Sequence, residues 1–275
     1  MSIVVQTNVA SLQAQKNLGM SQKQLAESFN KLSSGYRINS AADDAAGLAI
    51  SESMRMQIRS FAVAERNAND AISMAQTAEG SLGEVSGILG RMRELAMQGS
   101  NGSLQTTDRG YLDTEYQSLK SEITRIQAVT SFNNVQVLGT ATAAVSFQVG
   151  INTGSNNAIT VTFGNLDLAA LLTTTNKVSG TSGNSTAALT AIDGALKTVS
   201  TSRANYGAAM NRLGITTSNL QTIRTNISAA NSRIRDVDVA EETANMSRNQ
   251  VLAQAGASVL AQANQSPQFA LSLLR

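Results

Sequence analysis

The sequence has no histidine, no cysteine and no tryptophan in 275 residues. Without the first two there can be no Ser-His-Asp triad, no cysteine nucleophile and no ordinary zinc, haem or iron–sulfur site. A catalyst would have to work with Asp, Glu, Lys, Ser, Thr or Tyr alone. No disulfide can staple the fold, and the absence of cysteine fits any redox compartment. There is one proline, Pro267, so the chain is almost free of helix breakers. Aromatic residues make up only 4%, which leaves an aliphatic, alanine-rich core as the available kind. No run approaches the about 18 to 20 apolar residues of a membrane span. The first residues, MSIVVQTNVAS, have no basic stretch and only Ile3 to Val5 as an apolar run, so no cleaved secretory signal is expected.

The 21 basic and 19 acidic residues nearly cancel, which argues against nucleic acid as a partner. Neither cofactor nor membrane insertion is called for, and the composition describes a soluble, helix-permissive chain.

The few charges are unevenly placed. Residues 1–26 carry only Lys16 and Lys23, and residues 249–275 only Arg275. Three charges in 53 residues compare with about eight expected at the 15% overall. Between Arg125 and Lys177 the one charge is Asp167. Uncharged ends rich in bulky aliphatics point to burial against a partner more than to pure disorder.

The strongest periodic signal lies in 187–237. Ile192, Val199, Tyr206, Leu213, Leu220, Ile227 and Ile234 recur every seven residues. Ala195, Ser202, Ala209, Thr216, Ile223, Ala230 and Val237 follow three behind, an a/d heptad with polar exceptions at Ser202 and Thr216. About 50 helical residues would make a rod of roughly 75 Å, whereas a compact globule of this size has a radius of gyration of only ~19 Å. Shorter stripes of matching period precede it. Leu112, Tyr116, Leu119, Ile123 and Ile126 form one, with Thr107 or Asp108 available as N-cap. Ala68, Ile72, Ala75, Ala78, Leu82, Val85, Leu89, Met92 and Ala96 form another, and Gly99–Ser103 reads as the loop between them. Three such stripes can close one bundle.

The middle of the chain changes period. Val145, Phe147, Val149 and Ile151 alternate, as do Ile159, Val161 and Phe163, across the Asn152–Asn157 turn cluster: a β-hairpin. Thr173–Ala187 is rich in Ser, Thr and Gly and reads as a surface loop. At the ends, Val5, Val9 and Leu12 share a helix face, as do Leu25, Phe29 and Leu32. Val251, Ala255 and Val259 form a small-residue stripe with Leu252, Leu260 and Ala263 beside it. Neither end shows a solvated helix's charged outer face, which points to mutual pairing plus burial between molecules. The expected fold is mainly α: an elongated helical coiled-coil bundle with a small β-hairpin region and paired N- and C-termini.

No phosphate-binding glycine loop or dinucleotide fingerprint occurs. The acid pairs Asp43-Asp44, Asp236/Asp238 and Glu241-Glu242 could serve hydrolysis or hold a cation, but Asp43 and Asp44 stand where a helix starts near Ala45. Arg91, Arg93 and Glu94 read as an ordinary solvated face with local ion pairs. Nothing here argues for an enzyme.

Two long stretches carry a family likeness. Leu32-Ser-Ser-Gly-Tyr-Arg-Ile-Asn-Ser-Ala-Ala-Asp-Asp-Ala-Ala-Gly-Leu-Ala-Ile50 resembles bacterial flagellin. So do Ala244-Asn-Met-Ser-Arg-Asn-Gln-Val-Leu252, Ser258-Val-Leu-Ala-Gln-Ala-Asn-Gln265 and the ending Leu271-Ser-Leu-Leu-Arg275. The likeness covers roughly 1–140 and 187–275. It implies the structural subunit of the flagellar filament, exported unfolded and polymerised outside the cell. It further implies an inner D0 domain from 1–44 with 236–275, a D1 bundle over 45–235 with its β-hairpin region at about 140–175, and no room for outer D2 or D3 domains.

The D0 assembly residues expected from this likeness are Val5, Val9, Leu12, Leu25, Phe29, Leu32, Val251, Leu252, Val259, Leu260, Leu273 and Leu274. The implied partners are further copies of the chain, an export chaperone at the C-terminal segment, and the filament cap and hook-junction proteins. Gly90–Gln98 resembles the patch that vertebrate Toll-like receptor 5 recognises: Arg91, Glu94, Leu95 and Gln98 match it, and Glu115 matches a supporting acid. Gly90 and Met92 depart from it. Ordering roughly 80 terminal residues costs ~1–2 kcal/mol each in backbone entropy, so the ends are expected to order on polymerisation. A hook–filament junction protein is the alternative within this family likeness. An embedded metallopeptidase would need H-E-x-x-H, which a chain without histidine lacks, and a helical toxin would need a membrane hairpin.

Overall fold

The computed structural model describes residues 7–139, 141, 143–164, 166–173 and 175–273, with side chains described to 265. Six helices and two small antiparallel sheets follow in order: α1 (Val9–Ser34), α2 (Ala45–Gly99), α3 (Thr106–Val129), β1 (Ser131–Phe132), β2 (Val135–Gln136), β3 (Ala143–Gln148), β4 (Ala158–Phe163), α4 (Ala169–Leu172), α5 (Ser182–Arg235) and α6 (Val239–Leu273). The fold is mainly α with a small β region. It divides into two compact units, one of residues 1–58 with 225–275 and one of residues 59–224.

In the unit of residues 59–224, α2 and α5 run antiparallel. Three cross-helix ion pairs mark this: Glu65–Arg224 at 3.1 Å, Glu79–Arg203 at 2.7 Å and Arg93–Asp193 at 2.8 Å. The seam beneath them is the expected one. Ala68, Ala75, Ala78, Leu82, Val85, Leu89, Met92 and Ala96 of α2 are buried, with Ile192, Val199, Tyr206, Leu213 and Leu220 of α5. Each large side chain so buried is worth about 1.5–3 kcal/mol, and the alanines give a core of small volume. Thr216, one of the polar exceptions, returns its hydroxyl to the Arg212 carbonyl at 2.9 Å.

The β3–β4 hairpin has Val145 opposite Val161 and Phe147 opposite Ile159, and Ser155–Asn157 makes a 3₁₀ turn within the connection. Phe163 stacks on Tyr206 with ring centroids 5.5 Å apart, so the hairpin packs onto the heptad face of α5.

Two local expectations need correction. The N-cap of α3 is Gln105; Asp108 sits three residues into the helix and accepts the Gln105 N–H at 3.1 Å, the reciprocal half of a capping box. Thr173–Ala187 is no solvated loop. Asn176, Val178 and Ser185 are buried, and α5 already begins at Ser182. Polar side chains from α3 hold this stretch down. Lys120 Nζ donates to the Thr173 carbonyl at 2.5 Å and Asp113 accepts the Val178 N–H at 2.8 Å; just upstream, Gln127 donates to Leu166 O at 3.0 Å. Burial pulls the Lys120 ammonium below the ordinary lysine range. A further two-residue hairpin, β1–β2, turns on Asn133 and Asn134, both at positive φ (48° and 62°).

In the unit of residues 1–58 and 225–275, α1 and α6 pair antiparallel, closed at one end by hydrogen bonds from Asn8 Nδ2 to Ala263 O (2.8 Å) and from Ser11 Oγ to Asn264 Oδ1 (2.7 Å). α1 ends on Gly35 in the left-handed conformation (φ 74°), its N–H bonded to Lys31 O at 2.9 Å. Asp44 caps α2, accepting the Gly47 N–H at 2.8 Å, and a Cβ at Gly47 would lie 2.7 Å from the Ile38 methyl. Ile38 is buried there. The acid pair at 43–44 is thus used up in turn and cap bonds, since Asp43 accepts from Ser40 and Asn39 N–H.

Candidate assembly surfaces

The α1–α6 seam is built from small and mid-sized residues at alternating three- and four-residue steps. On α1 these are Ser11, Ala14, Leu18, Ser21, Leu25, Ser28 and Leu32. On α6 they are Glu242, Met246, Asn249, Ala253, Gly256, Leu260 and Ala263. Gly256 lets the Leu18 side chain come close: an added Cβ would lie 3.4 Å from its δ-methyl. Leu25, Leu32 and Leu260 therefore serve the intramolecular seam.

The other expected assembly residues within the described side chains are exposed. Val9 is 67% exposed, Leu12 58%, Phe29 56%, Val251 64%, Leu252 49% and Val259 56%. Val9, Leu12 and Met20 share one α1 face with Lys16, Lys23 and Glu27, away from the seam by helical spacing. On α6, Val251, Ala255 and Val259 make an uncharged exposed stripe. Val5 and Leu274, and the side chain of Leu273, lie outside the described residues.

Where α1, α2, α5 and α6 meet, Arg235 gathers three groups. Its guanidinium lies 4.4 Å over the Tyr36 ring and donates to Glu52 at 2.7 Å, and its carbonyl accepts the Arg37 N–H at 2.6 Å. Val237 N–H bonds Gly35 O at 3.0 Å, completing a bridge between the two strands of chain that join the helices. The Arg235 hydrogen bond holds the Glu52 carboxyl below its usual range. Sequence reading passed over Tyr36, Glu52 and Arg235. Their signal was weak: an arginine one residue past the last heptad position.

The heptad set divides between Leu220 and Ile227. Ile192, Val199, Tyr206, Leu213 and Leu220 are buried, whereas Ile227 and Ile234 are half-buried.

On the face formed by α2 and α3, Arg91 bonds Glu115 at 2.8 Å and Glu94 at 2.9 Å, and Gln98 is exposed beside them. The Glu115 hydrogen bond, then Glu94, raise the Arg91 pKa. Leu95 does not belong to this surface. It is 1% exposed and part of the core with Met92 and Ala96, because its helical phase is that of the buried stripe.

Comparison with known proteins identifies the family. A family model described as the bacterial flagellin N-terminal helical region matches residues 5–143, and one described as the bacterial flagellin C-terminal helical region matches residues 189–274. The chain belongs to the bacterial flagellins. It is 46% identical over 274 residues to the flagellin of Halalkalibacterium halodurans, covering 99% of this chain and 100% of that one. It is 38% identical over 290 residues to the flagellar filament 33 kDa core protein of Treponema phagedenis, with 99% and 100% covered. A solved structure of a flagellar hook-associated protein from Vibrio parahaemolyticus superposes with a TM-score of 0.60 over 70% of this chain and 100% of that one. At 16% identity that likeness is one of fold alone. The short stretch between the two family matches makes this a minimal flagellin.

Proposed function

We propose that this flagellin polymerises into the bacterial flagellar filament through the outward faces of α1 and α6. The observation that carries the reading is the set of large apolar side chains these helices leave in water: Val9, Leu12, Phe29, Val251, Leu252 and Val259. A single chain gains nothing from their exposed area, whereas covering what remains of each in a neighbouring copy contributes about 1–2 kcal/mol. In this reading 1–44 with 236–275 form the inner layer, 45–235 the surrounding bundle, and no outer domains follow.

The product is structural: an extracellular filament, not a catalyst. Its other partners in this reading are an export chaperone at 236–275, the filament cap and the hook-junction proteins. Toll-like receptor 5 would read Arg91, Glu94, Gln98 and Glu115, with Leu95 supporting the helix from inside.

The test is electron microscopy of purified monomer with short filament seeds, beside a chain lacking 249–275. Long filaments from the intact chain alone are expected. Failure of the intact chain to extend any seed would overturn the reading in favour of a junction protein.

A further inference from the structure

We propose that Asn101 is a self-modifying site, converted by its own backbone to aspartate and isoaspartate with assistance from Arg109 and the Ser103 N–H. Asn101-Gly102 is the one Asn-Gly dipeptide in the sequence, and it lies exposed in the connection between α2 and α3. Gly102 has no side chain, and apart from its chain neighbours no atom lies within 4 Å of where a Cβ would be, so no side chain crowds the backbone on that side of the residue.

The surroundings supply what the chemistry needs at both reacting ends. The nucleophile is the Gly102 nitrogen after loss of its proton to solvent base. The resulting negative charge spreads onto the Asn101 carbonyl oxygen, the other end of the same peptide group. That oxygen accepts from Arg109 Nη2 at 2.9 Å and from the Leu104 N–H at 3.4 Å. The Arg109 fork is buried and held by Gly99 O at 2.8 Å and Gly180 O at 3.3 Å, so its positive charge is fixed in place. The electrophile is the Asn101 side-chain carbon. Its oxygen, Oδ1, accepts the Ser103 N–H at 3.2 Å, a donor placed where the oxyanion develops.

The steps balance without an oxidant or cofactor. The Gly102 nitrogen forms a bond to Asn101 Cγ, and the tetrahedral intermediate, taking back one proton from solvent on the side-chain nitrogen, breaks that C–N bond and expels ammonia, leaving a five-membered succinimide. Water then adds to one of the two ring carbonyls. Opening one C–N bond gives aspartate; opening the other gives isoaspartate, with one extra methylene in the main chain. Either product carries a new carboxylate on the residue whose carbonyl Arg109 holds.

Packed structure ordinarily slows such a reaction by restraining the backbone, so a faster rate in the folded chain is the distinguishing outcome. The full chain is incubated in heavy-oxygen water at mildly alkaline pH, folded and in urea, and residue 101 is followed by peptide mass spectrometry and isoaspartate detection. Conversion in the folded chain is expected to be about tenfold faster than in urea, the effect of one charge-assisted hydrogen bond that strengthens as the charge develops on the Asn101 carbonyl oxygen. Arg109→Lys is expected to bring the folded rate down to that of the unfolded chain. A folded rate equal to or below the rate in urea would overturn the proposal, and so would an Arg109→Lys chain that keeps its helix content and the fast rate. Should that variant lose its helix content, the comparison of folded and urea rates decides alone.

Discussion

Arg235, the last residue of α5, lies 4.4 Å over the ring of Tyr36 in the loop that joins α1 to α2. The contact ties together stretches of chain 199 residues apart (235 − 36), and it does so with a side chain that also reaches Glu52. Arg235→Ala should therefore lower the stability of the unit of residues 1–58 and 225–275 by about 1–3 kcal/mol, combining a cation–π contact with a charge-assisted hydrogen bond. Glu52→Gln should cost less than Arg235→Ala, because that carboxylate is half-exposed and screened by solvent. Urea melts of the two variants check the order; equal losses would deny Arg235 its central place.

Acid should act at the same joint. Asp43, through the Ser40 and Asn39 N–H groups, and Glu52, through Arg235, both have pKa values below their ordinary 3.8 and 4.5. A carboxyl with a depressed folded pKa adds stability that is present above its unfolded pKa. That stability disappears as pH falls through the folded value. Loosening of the joint should thus begin only below about pH 4, and Asp43→Asn should make stability less dependent on pH there. Melts across pH 2–7 follow it, and a transition centred near neutrality would contradict it.

Tyr116 carries the opposite sign. It is fully buried, its hydroxyl has no hydrogen-bond partner among the described residues, and burial pushes its pKa up to about 12. The unfolded phenol loses its proton near pH 10 while the folded one keeps it. Stability is full below pH 10 and declines by on the order of 2 kcal/mol toward pH 12. Tyr116→Phe removes an unpartnered polar atom and should stabilise the unit of residues 59–224 by about 1 kcal/mol while flattening the alkaline decline. A destabilised Phe variant would mean the hydroxyl is partnered in solution.

Much of this was legible in the chain because the helices are long and aliphatic. Seven-residue spacing from Ile192 to Leu220 located the α5 seam, and alternation located β3 and β4. What escaped was polar packing. Arg109, Tyr116, Lys120, Ile123 and Gln127 share the buried face of α3, yet three of the five are polar and hydropathy alone put them on the surface. Their partners are backbone carbonyls far along the chain, which no local pattern announces. Leu95 is the converse case: a motif placed it on a surface, while its helical phase, three residues after Met92, placed it in the core. The assembly set was read as one group, but spacing alone could not separate Leu25, Leu32 and Leu260, which close the seam, from Leu12 and Val259, which face outward.

If those outward positions await a neighbouring copy, amide exchange in α1 and α6 should slow on polymerisation far more than exchange in the buried part of α2. Backbone bonds in a lone helix pair open easily, whereas those in a packed layer open with the assembly. Unchanged exchange at both helices would contradict ordering by assembly.

The most direct measurement is seed extension by the double variant Leu12→Ser, Val259→Ser, compared with Ser33→Ala, an exposed α1 position outside the apolar set. Both substituted leucine and valine positions are solvent-facing, so the monomer should keep its helix content and its melting curve to within about 0.5 kcal/mol. The account predicts that the double variant, folded as well as the parent chain, fails to lengthen seeds while the control lengthens them normally. Filaments growing from the double variant at the parental rate would contradict it.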